Sequence, residues 1–223
     1  MSWRSQRATF ETNFMGTLNI LNAVRDICPD ASVVNASTGS IYGSSNVAVK
    51  EGHAYNPTSP YAMSKLASHH LCQSYRKNYG IDVSNAIFFN HASELSDDRF
   101  VMKKIIDSFA LAYLTRKKQI LELGNIDIRR DWGYAEEYMM ALTLMIEKHA
   151  DDFIIASGVN YSIREIISMC QTMCPRYDLV SIQTGLKSAM RPEDDASMIG
   201  DATKAFLELG WKGEIGIYGI IAK

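Results

Sequence analysis

Predicted helices alternate with short apolar strands along most of this chain, and this alternation restricts the fold more than any other feature. An apolar stripe with helical spacing predicts a helix over 9–28. Ser59 followed by Pro60 predicts the start of a second helix, which Gly80 closes. The apolar run 81–89 is typical of a strand buried on both faces. Further strands are predicted at 31–36, 119–123, 153–156 and 179–182, with helices at 100–117, 135–149, 162–174 and 202–209. Such a pattern predicts an α/β fold with a parallel sheet that helices cover on both faces.

The start of the chain does not match the start of a doubly wound domain. Such a domain begins on a strand, whereas this chain begins on a polar segment and a helix. No G-x-G-x-x-G sequence lies between a strand and a helix, where a dinucleotide pyrophosphate would bind at a helix N-terminus. We therefore expect the first βα units of the sheet, with the main cofactor-binding loop, to be absent from these 223 residues.

Charge and composition argue against several kinds of partner. The chain has 23 Lys and Arg against 25 Asp and Glu, so it has no polybasic surface for nucleic acid or an anionic membrane. No stretch is apolar enough to span a bilayer, and the N-terminus lacks the apolar core of a secretory signal. Four cysteines are too few for a disulfide framework. We therefore expect a cytoplasmic, reduced protein.

Two of the cysteines, Cys170 and Cys174, are spaced to lie on one face of a helix. In principle they could form half of a metal site, but no histidine or carboxylate cluster adjoins them. We interpret them as half-buried thiols and predict no metal site.

Tyr61 and Lys65 are the first candidates for catalysis. Four residues apart at the start of a capped helix, they share one face, and a nearby ammonium favours a phenolate over a phenol whose pKa starts near ~10. The spacing alone is weak evidence, because Tyr113 and Lys117 repeat it. Only Tyr61 follows a strand that ends in a hydroxyl-rich turn, 37–40, and ligands of parallel sheets bind beyond the carboxyl ends of strands. We assign Tyr113 and Lys117 to a solvated helix face.

Several motifs in a fixed order resemble those of one enzyme family. They lie at 36–43, 56–65, 89–91, 100–105, 123–127, 130–138, 154–158, 191–194 and 199–201. The first two, ASTGSIYG and NPTSPYAMSK, resemble extended short-chain dehydrogenase/reductases of the NAD-dependent epimerase/dehydratase family, which act on nucleotide sugars. The later motifs narrow the resemblance to the GDP-mannose 4,6-dehydratases. The resemblance covers nearly the whole chain.

The resemblance implies a Rossmann-like parallel sheet, lacking its first βα units, with a smaller C-terminal α/β domain for the substrate. Residues 1–91 and 131–158 would form the partial Rossmann domain. Residues 92–130 and 159–223 would form the nucleotide-sugar-binding domain. The implied ligands are a GDP-sugar and NADP, with NAD as the alternative, and the implied assembly is a homodimer.

The resemblance also implies roles for individual residues. Tyr61 would take the proton from the sugar 4-hydroxyl while hydride passes to the nicotinamide, and Thr38 would hydrogen-bond the 4-oxygen. Lys65 would hold the nicotinamide ribose and adjust the acidity of Tyr61. His91 would be a further cofactor contact, although a histidine directly after an apolar strand can equally be a satisfied core residue.

The implied substrate contacts lie later in the chain. They are Asn90, Val101 and Lys104 for the nucleotide-sugar, and Arg130 and Arg191 for its diphosphate or ribose. A guanidinium suits bidentate contact with phosphate. For Arg130, an ion pair with adjacent acids is the alternative.

The chain departs from the family pattern at two positions near the implied site. Ser40 stands where the dehydratases carry the glutamate that removes water across C5 and C6, and a serine hydroxyl has no accessible pKa for that task without its own base. Elimination should be lost unless Glu51 or Glu94 takes that role. Leu95 and Ser96 replace paired arginines that reach the cofactor phosphate across a subunit interface, so we do not expect a tetramer.

Three functions follow from these observations. The first is GDP-mannose 4,6-dehydratase-like chemistry that oxidises the sugar C4 through Tyr61, Lys65 and NADP. The second is a 4-dehydrogenase, 4-keto reductase or epimerase acting on a GDP-hexose, because of Ser40. The third is a non-catalytic, truncated binding protein, because a hydride-transferring enzyme without a hold on its cofactor has no oxidant.

Overall fold

Parallel strand pairs organise the part of the chain that the structure describes. The structure is a computed structural model, and it describes residues 2–148, 150–190 and 195–223. The strands are β1 (Val33–Thr38), β2 (Val83–Phe88), β3 (Asn90–Ala92), β4 (Gln119–Glu122), β5 (Arg129–Tyr134), β6 (Asp152–Ile155), β7 (Asn160–Ser162) and β8 (Val180–Gln183). The helices are α1 (Gln6–Phe10), α2 (Gly16–Ile27), α3 (Pro60–Tyr79), α4 (Val101–Thr115), α5 (Ala135–Ile146), α6 (Ile163–Met173), α7 (Thr203–Leu209) and α8 (Ile217–Ala222).

The main sheet has the strand order β1-β2-β6, with both pairs parallel. Every residue of β2 is buried, as expected for a central strand between two covered faces. The register places Thr38 opposite Phe88 and Phe88 opposite Ile155, so the three strands end at one edge of the sheet. The parallel α/β sheet predicted from the alternating pattern is confirmed.

Helices cover both faces of this sheet. Successive side chains of a strand point to opposite faces, and on β2 the side chain of Val83 packs in a cluster with α2 and α3. Ala86 and Phe88 point the other way and pack in a cluster with α5 and α7. A π-helical segment, Glu11–Met15, joins α1 to α2.

A second apolar core lies beside the main sheet, among α4, α6 and α8. Its fully buried members include Met102, Ile105, Leu121 and Ile163. Two smaller sheets flank it: β4 pairs with β8 in parallel, while β5 pairs with β3 in parallel and with β7 antiparallel. The division into two domains stays a prediction. Ala205, Leu209 and Trp211, which fall in the predicted substrate domain, pack in the cluster of α5 and the main sheet.

Several predicted boundaries differ from the structure. The strand predicted at 31–36 lies at Val33–Thr38, so Thr38 is the last residue of the strand rather than part of the turn. The helix predicted to reach residue 117 ends at Thr115, because Arg116 takes the left-handed conformation with φ 57°. The helix predicted to end at residue 149 ends at Ile146, and residue 149 lies outside the described residues. Among the residues described, no helix combines the length and apolar character that crossing a bilayer requires.

Candidate active site

The carboxyl end of β1 and the first turn of α3 form the candidate active site. Ser59 caps α3 by accepting a hydrogen bond from the Ala62 amide at 3.1 Å, and Pro60 occupies the first helical position. This start fixes Tyr61 in the first turn and Lys65 one turn later. The helix confirms the capped start that the sequence predicts.

A tight turn, Gly39–Tyr42, follows β1 and holds Thr38 in place. The Thr38 hydroxyl accepts a hydrogen bond from the Ser40 amide at 3.3 Å. Gly39 leaves room for the ring of Phe89, which would lie 2.8 Å from any Cβ at position 39. Gly43 has φ 69°, a backbone conformation that favours glycine. The glycines of this motif are therefore explained by packing and backbone conformation.

The Tyr61 phenol lies near the Thr38 side chain, which acts to lower its pKa. Thr38 is 8% exposed and Tyr61 is 39% exposed, so the pair is open to a ligand from the Tyr61 side. Burial raises the pKa of the Tyr61 phenol above its ordinary value, and the Thr38 side chain only partly opposes that rise. The expectation that Lys65 lowers this pKa stays a prediction.

Lys65 hydrogen-bonds the main chain of β1. Its ammonium donates to the Ala36 carbonyl oxygen at 2.9 Å. Burial lowers the pKa of Lys65. In the chain without ligands the ammonium is therefore bonded to the strand that carries Thr38.

The implied contacts Asn90 and His91 lie in β3, just beyond the carboxyl end of β2. His91 is exposed, its Nδ1 lies 3.0 Å from the Phe89 carbonyl oxygen, and its ring packs against Tyr138 with centroids 5.2 Å apart. This exposure does not favour the alternative of a satisfied core histidine. Contact with a cofactor stays a prediction.

Val101 and Lys104 lie in the first turn of α4. No side chain caps this helix, so its first amides are open to another acceptor. The Lys104 ammonium donates to the Glu122 carbonyl oxygen at 2.6 Å. Contact of either residue with a nucleotide-sugar stays a prediction.

Arg130 is 6% exposed and lies in β5. Its Nη1 donates to the carbonyl oxygens of Arg129 at 2.8 Å and Asp195 at 2.6 Å. The guanidinium therefore contacts main chain next to the motif that contains Arg191. Arg191 itself lies outside the described residues.

The carboxylates proposed to replace the missing glutamate are both engaged elsewhere. Glu51 accepts a hydrogen bond from the Ile154 amide at 2.9 Å, at the edge of β6. Glu94 accepts one from the Tyr134 hydroxyl at 3.3 Å. Among the described residues neither carboxylate hydrogen-bonds Ser40, and a catalytic role for either stays a prediction.

Asp131 is an important residue that the sequence analysis did not single out. It is fully buried, and its carboxylate accepts hydrogen bonds from the Ser157 and Gly158 amides at 2.8 and 3.0 Å and from the Gly200 amide at 3.2 Å. Burial raises its pKa, and these bonds oppose the rise. Its partners lie 26 to 69 residues away, so no local pattern could have identified them.

The rejected candidates lie away from this site. Tyr113 is 55% exposed near the end of α4, and Lys117 lies beyond that helix, which agrees with a solvated surface. Cys170 and Cys174 are more buried than expected, and burial raises the pKa of Cys170 to about 12. Within the described ranges no group of three or more His, Cys, Asp or Glu side chains is arranged to hold a metal ion.

A parallel sheet whose carboxyl edge presents a threonine, a tyrosine and a lysine one helical turn later defines the class of protein: a Rossmann-type short-chain dehydrogenase/reductase. The family model of GDP-mannose 4,6 dehydratase matches residues 1–223. This chain belongs to that family.

Individual relatives agree with this assignment. A GDP-mannose 4,6-dehydratase of Vibrio cholerae is 30% identical over 253 residues, which cover 100% of this chain and 68% of the relative. The human GDP-mannose 4,6 dehydratase is 32% identical, with 93% of this chain and 61% of the relative covered. The chain therefore spans about two thirds of the length of these relatives.

Solved structures show the same fold. RMD from Pseudomonas aeruginosa, solved with NADPH, superposes with a TM-score of 0.84 at 25% identity over 99% of this chain and 74% of that chain. The dTDP-glucose 4,6-dehydratase of Bacillus anthracis, solved with NAD, gives 0.81 at 20% identity over 95% of this chain and 66% of that chain, a likeness in fold alone.

Proposed function

We propose that this chain binds a GDP-linked hexose and takes part in oxidation or reduction at the sugar C4 with a nicotinamide cofactor, NADP rather than NAD. The observation that carries the proposal is that Thr38, at the carboxyl end of a parallel strand, lies near Tyr61 of α3, whose Lys65 bonds the same strand. The names of the relatives support a GDP-sugar substrate, and the neighbours solved with NADPH or NAD support the cofactor class.

The proton at O4 would pass through Tyr61. When bound, the cofactor supplies the hydride acceptor: the C4–H bond breaks and its electron pair goes to the nicotinamide. Tyr61 phenolate takes the O4 proton as the C4=O bond forms, and Thr38 hydrogen-bonds that oxygen. In the reverse reaction the Tyr61 phenol donates the proton. Because burial raises the pKa of Tyr61, the phenol is the resting form, which suits the reductive direction.

The described residues fit the nicotinamide end of such a cofactor better than its pyrophosphate end. The Thr38 and Tyr61 hydroxyls and the Lys65 ammonium lie at the edge of the sheet where parallel α/β proteins bind ligands. Lys65 would exchange its bond to Ala36 for the ribose hydroxyls, and the exposed ring of His91 would contact the cofactor. The chain has no G-x-G-x-x-G loop, so we predict that its NADP binding alone is weaker than micromolar.

The nucleotide-sugar would lie across the start of α4. The uncapped amides at Val101 and the helix dipole favour an anion, and Lys104 adds a positive charge one turn later. Asn90 would contact the sugar from β3. Arg130 and Arg191 would contact the diphosphate or ribose, where a guanidinium binds in bidentate geometry.

Ser40 favours redox chemistry without loss of water. A hydroxyl cannot serve as the acid and base of elimination at neutral pH, and Glu51 and Glu94 are held elsewhere. We therefore propose a C4 dehydrogenase, 4-keto reductase or epimerase activity ahead of the 4,6-dehydratase activity of the relatives.

The second candidate function is a binding protein without turnover, since hydride transfer requires a bound cofactor. In that case the chain binds a GDP-sugar but transfers no hydride.

For either function we predict a cytoplasmic protein that forms a homodimer. Light scattering on the purified chain tests the homodimer.

Product analysis separates these functions. The purified chain is incubated with GDP-mannose and millimolar NADP⁺, and the nucleotide-sugars are weighed by mass spectrometry. Loss of two hydrogens supports C4 oxidation, loss of water supports elimination, and a chromatographically distinct product of unchanged mass supports epimerisation. Tyr61→Phe should abolish either product, while the matched control Tyr113→Phe, on an exposed helix face, should not. GDP-mannose binding without any product supports the binding protein.

A further inference from the structure

A buried polar cluster lies directly beneath the candidate active site. We call it the His69 cluster, and its members are Ser37, Tyr55, His69, Gln73, Asn85 and Asp152. His69 is 0% exposed, and it lies on α3 one turn after Lys65. Nothing in the proposed chemistry uses these residues.

His69 links the two segments that carry the candidate catalytic groups. Its Nδ1 lies 3.2 Å from the Ser37 hydroxyl, and Ser37 directly precedes Thr38 on β1. Tyr61 and Lys65 precede His69 on α3. One imidazole therefore connects the strand that carries Thr38 to the helix that carries Tyr61. A hydroxyl both donates and accepts, so this bond forms with either tautomer of His69.

The Nε2 side of the His69 ring is surrounded by three polar side chains. Nε2 lies 3.1 Å from the Tyr55 hydroxyl, 3.1 Å from Gln73 Nε2 and 3.3 Å from Asp152 Oδ2. Asp152 in turn accepts hydrogen bonds from Gln73 at 2.6 Å and from Asn85 at 2.9 Å. Its carboxylate is therefore tied to both α3 and the central strand.

Asp152 remains a carboxylate in this buried position. Burial alone would raise its pKa, but hydrogen bonds from His69, Arg76 and Gln73 hold the pKa well below its usual range. A buried carboxylate bound by several donors resists displacement, since any movement leaves a buried charge without partners. The cluster therefore gives His69 a fixed position from which to hold Ser37.

We propose that His69 is a positioning residue. Through Ser37 it fixes the Thr38 turn relative to Tyr61, so that the two hydroxyls meet on one substrate oxygen. The claim that His69 affects catalysis rests on the proposed function. The claim that His69 stabilises the Gly39–Tyr42 turn does not. The two are therefore tested by separate measurements.

Two substitutions of His69 separate this role from general stability. Asparagine places its polar atoms at the δ position, near Nδ1, and glutamine places them at the ε position, near Nε2. H69N therefore keeps a partner for Ser37 and loses the bonds on the Nε2 side, while H69Q does the reverse. S37A removes the Ser37 hydroxyl from the same hydrogen bond and leaves the residues on the Nε2 side of His69 unchanged.

Hydrogen exchange at the Ser40 and Gly43 amides, which bond within the turn, measures its local stability. H69Q and S37A should each speed this exchange about tenfold, as the loss of one hydrogen bond implies, and H69N should change it by about twofold or less. The double variant S37A/H69Q should exchange no faster than either single variant. Amides of the separate β4–β8 sheet serve as the control.

Two results would overturn the proposal. One is equal exchange in H69N and H69Q; the other is a change at the turn no larger than that at β4. If the wild-type chain turns over GDP-mannose, H69Q should also lower kcat and leave KM unchanged, and an unchanged kcat would equally count against the proposal. If the wild-type chain is inactive, the proposed function fails, while hydrogen exchange still decides the role of His69.

Discussion

The ammonium of Lys65 lies 2.9 Å from the main-chain oxygen of Ala36, two residues before the candidate catalytic Thr38. The candidate catalytic lysine is therefore joined to the strand that carries its neighbour Thr38. In the chain without ligands this bond stabilises the site, and ligand binding must replace it.

Removing this bond should weaken the fold. K65M is expected to lower the free energy of unfolding by about 1 kcal/mol, because the charged donor to the Ala36 carbonyl oxygen is lost. Urea denaturation at pH 7 measures the change. The matched control K117M, at an exposed position, should stay close to the wild type. A K65M chain as stable as K117M would show that the contact with Ala36 contributes nothing.

In the chain without ligands, the pKa of the Tyr61 phenol should be higher than that of an ordinary tyrosine. Burial raises the pKa of its phenol, and no charge offsets that rise. Carbon-13 NMR of labelled tyrosines, with Y61F to assign the signal, should find a pKa above the ordinary value near ~10. A Tyr61 pKa below that value would support the phenolate that the spacing to Lys65 alone predicts.

The ionised Asp152 should make the free energy of unfolding decrease as the pH is lowered into the acidic range. Its pKa is lower in the folded chain than in the unfolded one, so its contribution is complete above the unfolded pKa near ~3.9 and is lost as the pH falls through the folded pKa. D152N should cost about 2 kcal/mol at pH 7 and clearly less at about pH 2, where the pH has moved most of the way from the unfolded to the folded pKa. Urea denaturation at the two pH values measures this difference, and an equal cost at both would contradict the assignment.

Glycine substitutions should have opposite effects at two positions. A Cβ at Gly133 would collide with the ring of Tyr138, so G133A should destabilise the chain by about 1–3 kcal/mol. Gly16 begins α2 with nothing within 4 Å of a Cβ, so G16A should stabilise it by up to about 1 kcal/mol. Thermal unfolding of both variants measures the contrast. Similar effects of the two changes would mean that Tyr138 can move aside.

Restoring a carboxylate at Ser40 should restore elimination if the turn is otherwise intact. With GDP-mannose and millimolar NADP⁺, S40E should yield a product that has lost water, because the carboxylate supplies the missing acid and base. N46E, which adds the same charge at an exposed position nearby, should not. Water loss by the wild-type chain, or none by S40E, would contradict the role given to Ser40.

The sequence predicted the main sheet and the core of the candidate site because their signals are local. The cap at Ser59, the turn after β1 and the apolar run of β2 each lie within a few residues, so the pairing of Thr38 with Tyr61 could be anticipated. Strand β5 was missed because Arg129, Arg130 and Asp131 are charged. Their partners come from distant loops, which no local pattern reveals.

The His69 cluster was missed for the same physical reason. Ser37 lies 32 residues before His69, and Gln73 lies 79 residues before its partner Asp152. A histidine in the middle of a helix gives no sign of being buried until the strand beneath it is placed. The contact between Lys65 and Ala36 was also missed, because spacing on a helix does not show which main-chain groups a side chain meets.

Label transfer from the substrate tests the central claim most directly. The chain is incubated with GDP-mannose carrying deuterium at C4 and millimolar NADP⁺, and the cofactor is analysed by mass spectrometry. We predict deuterium in the reduced cofactor, or in a sugar product to which the hydride has returned, with the wild type and Tyr113→Phe, and in neither with Tyr61→Phe. No transfer with the wild type, or equal transfer with Tyr61→Phe, would contradict the assignment of Thr38, Tyr61 and Lys65 as the groups that act at C4.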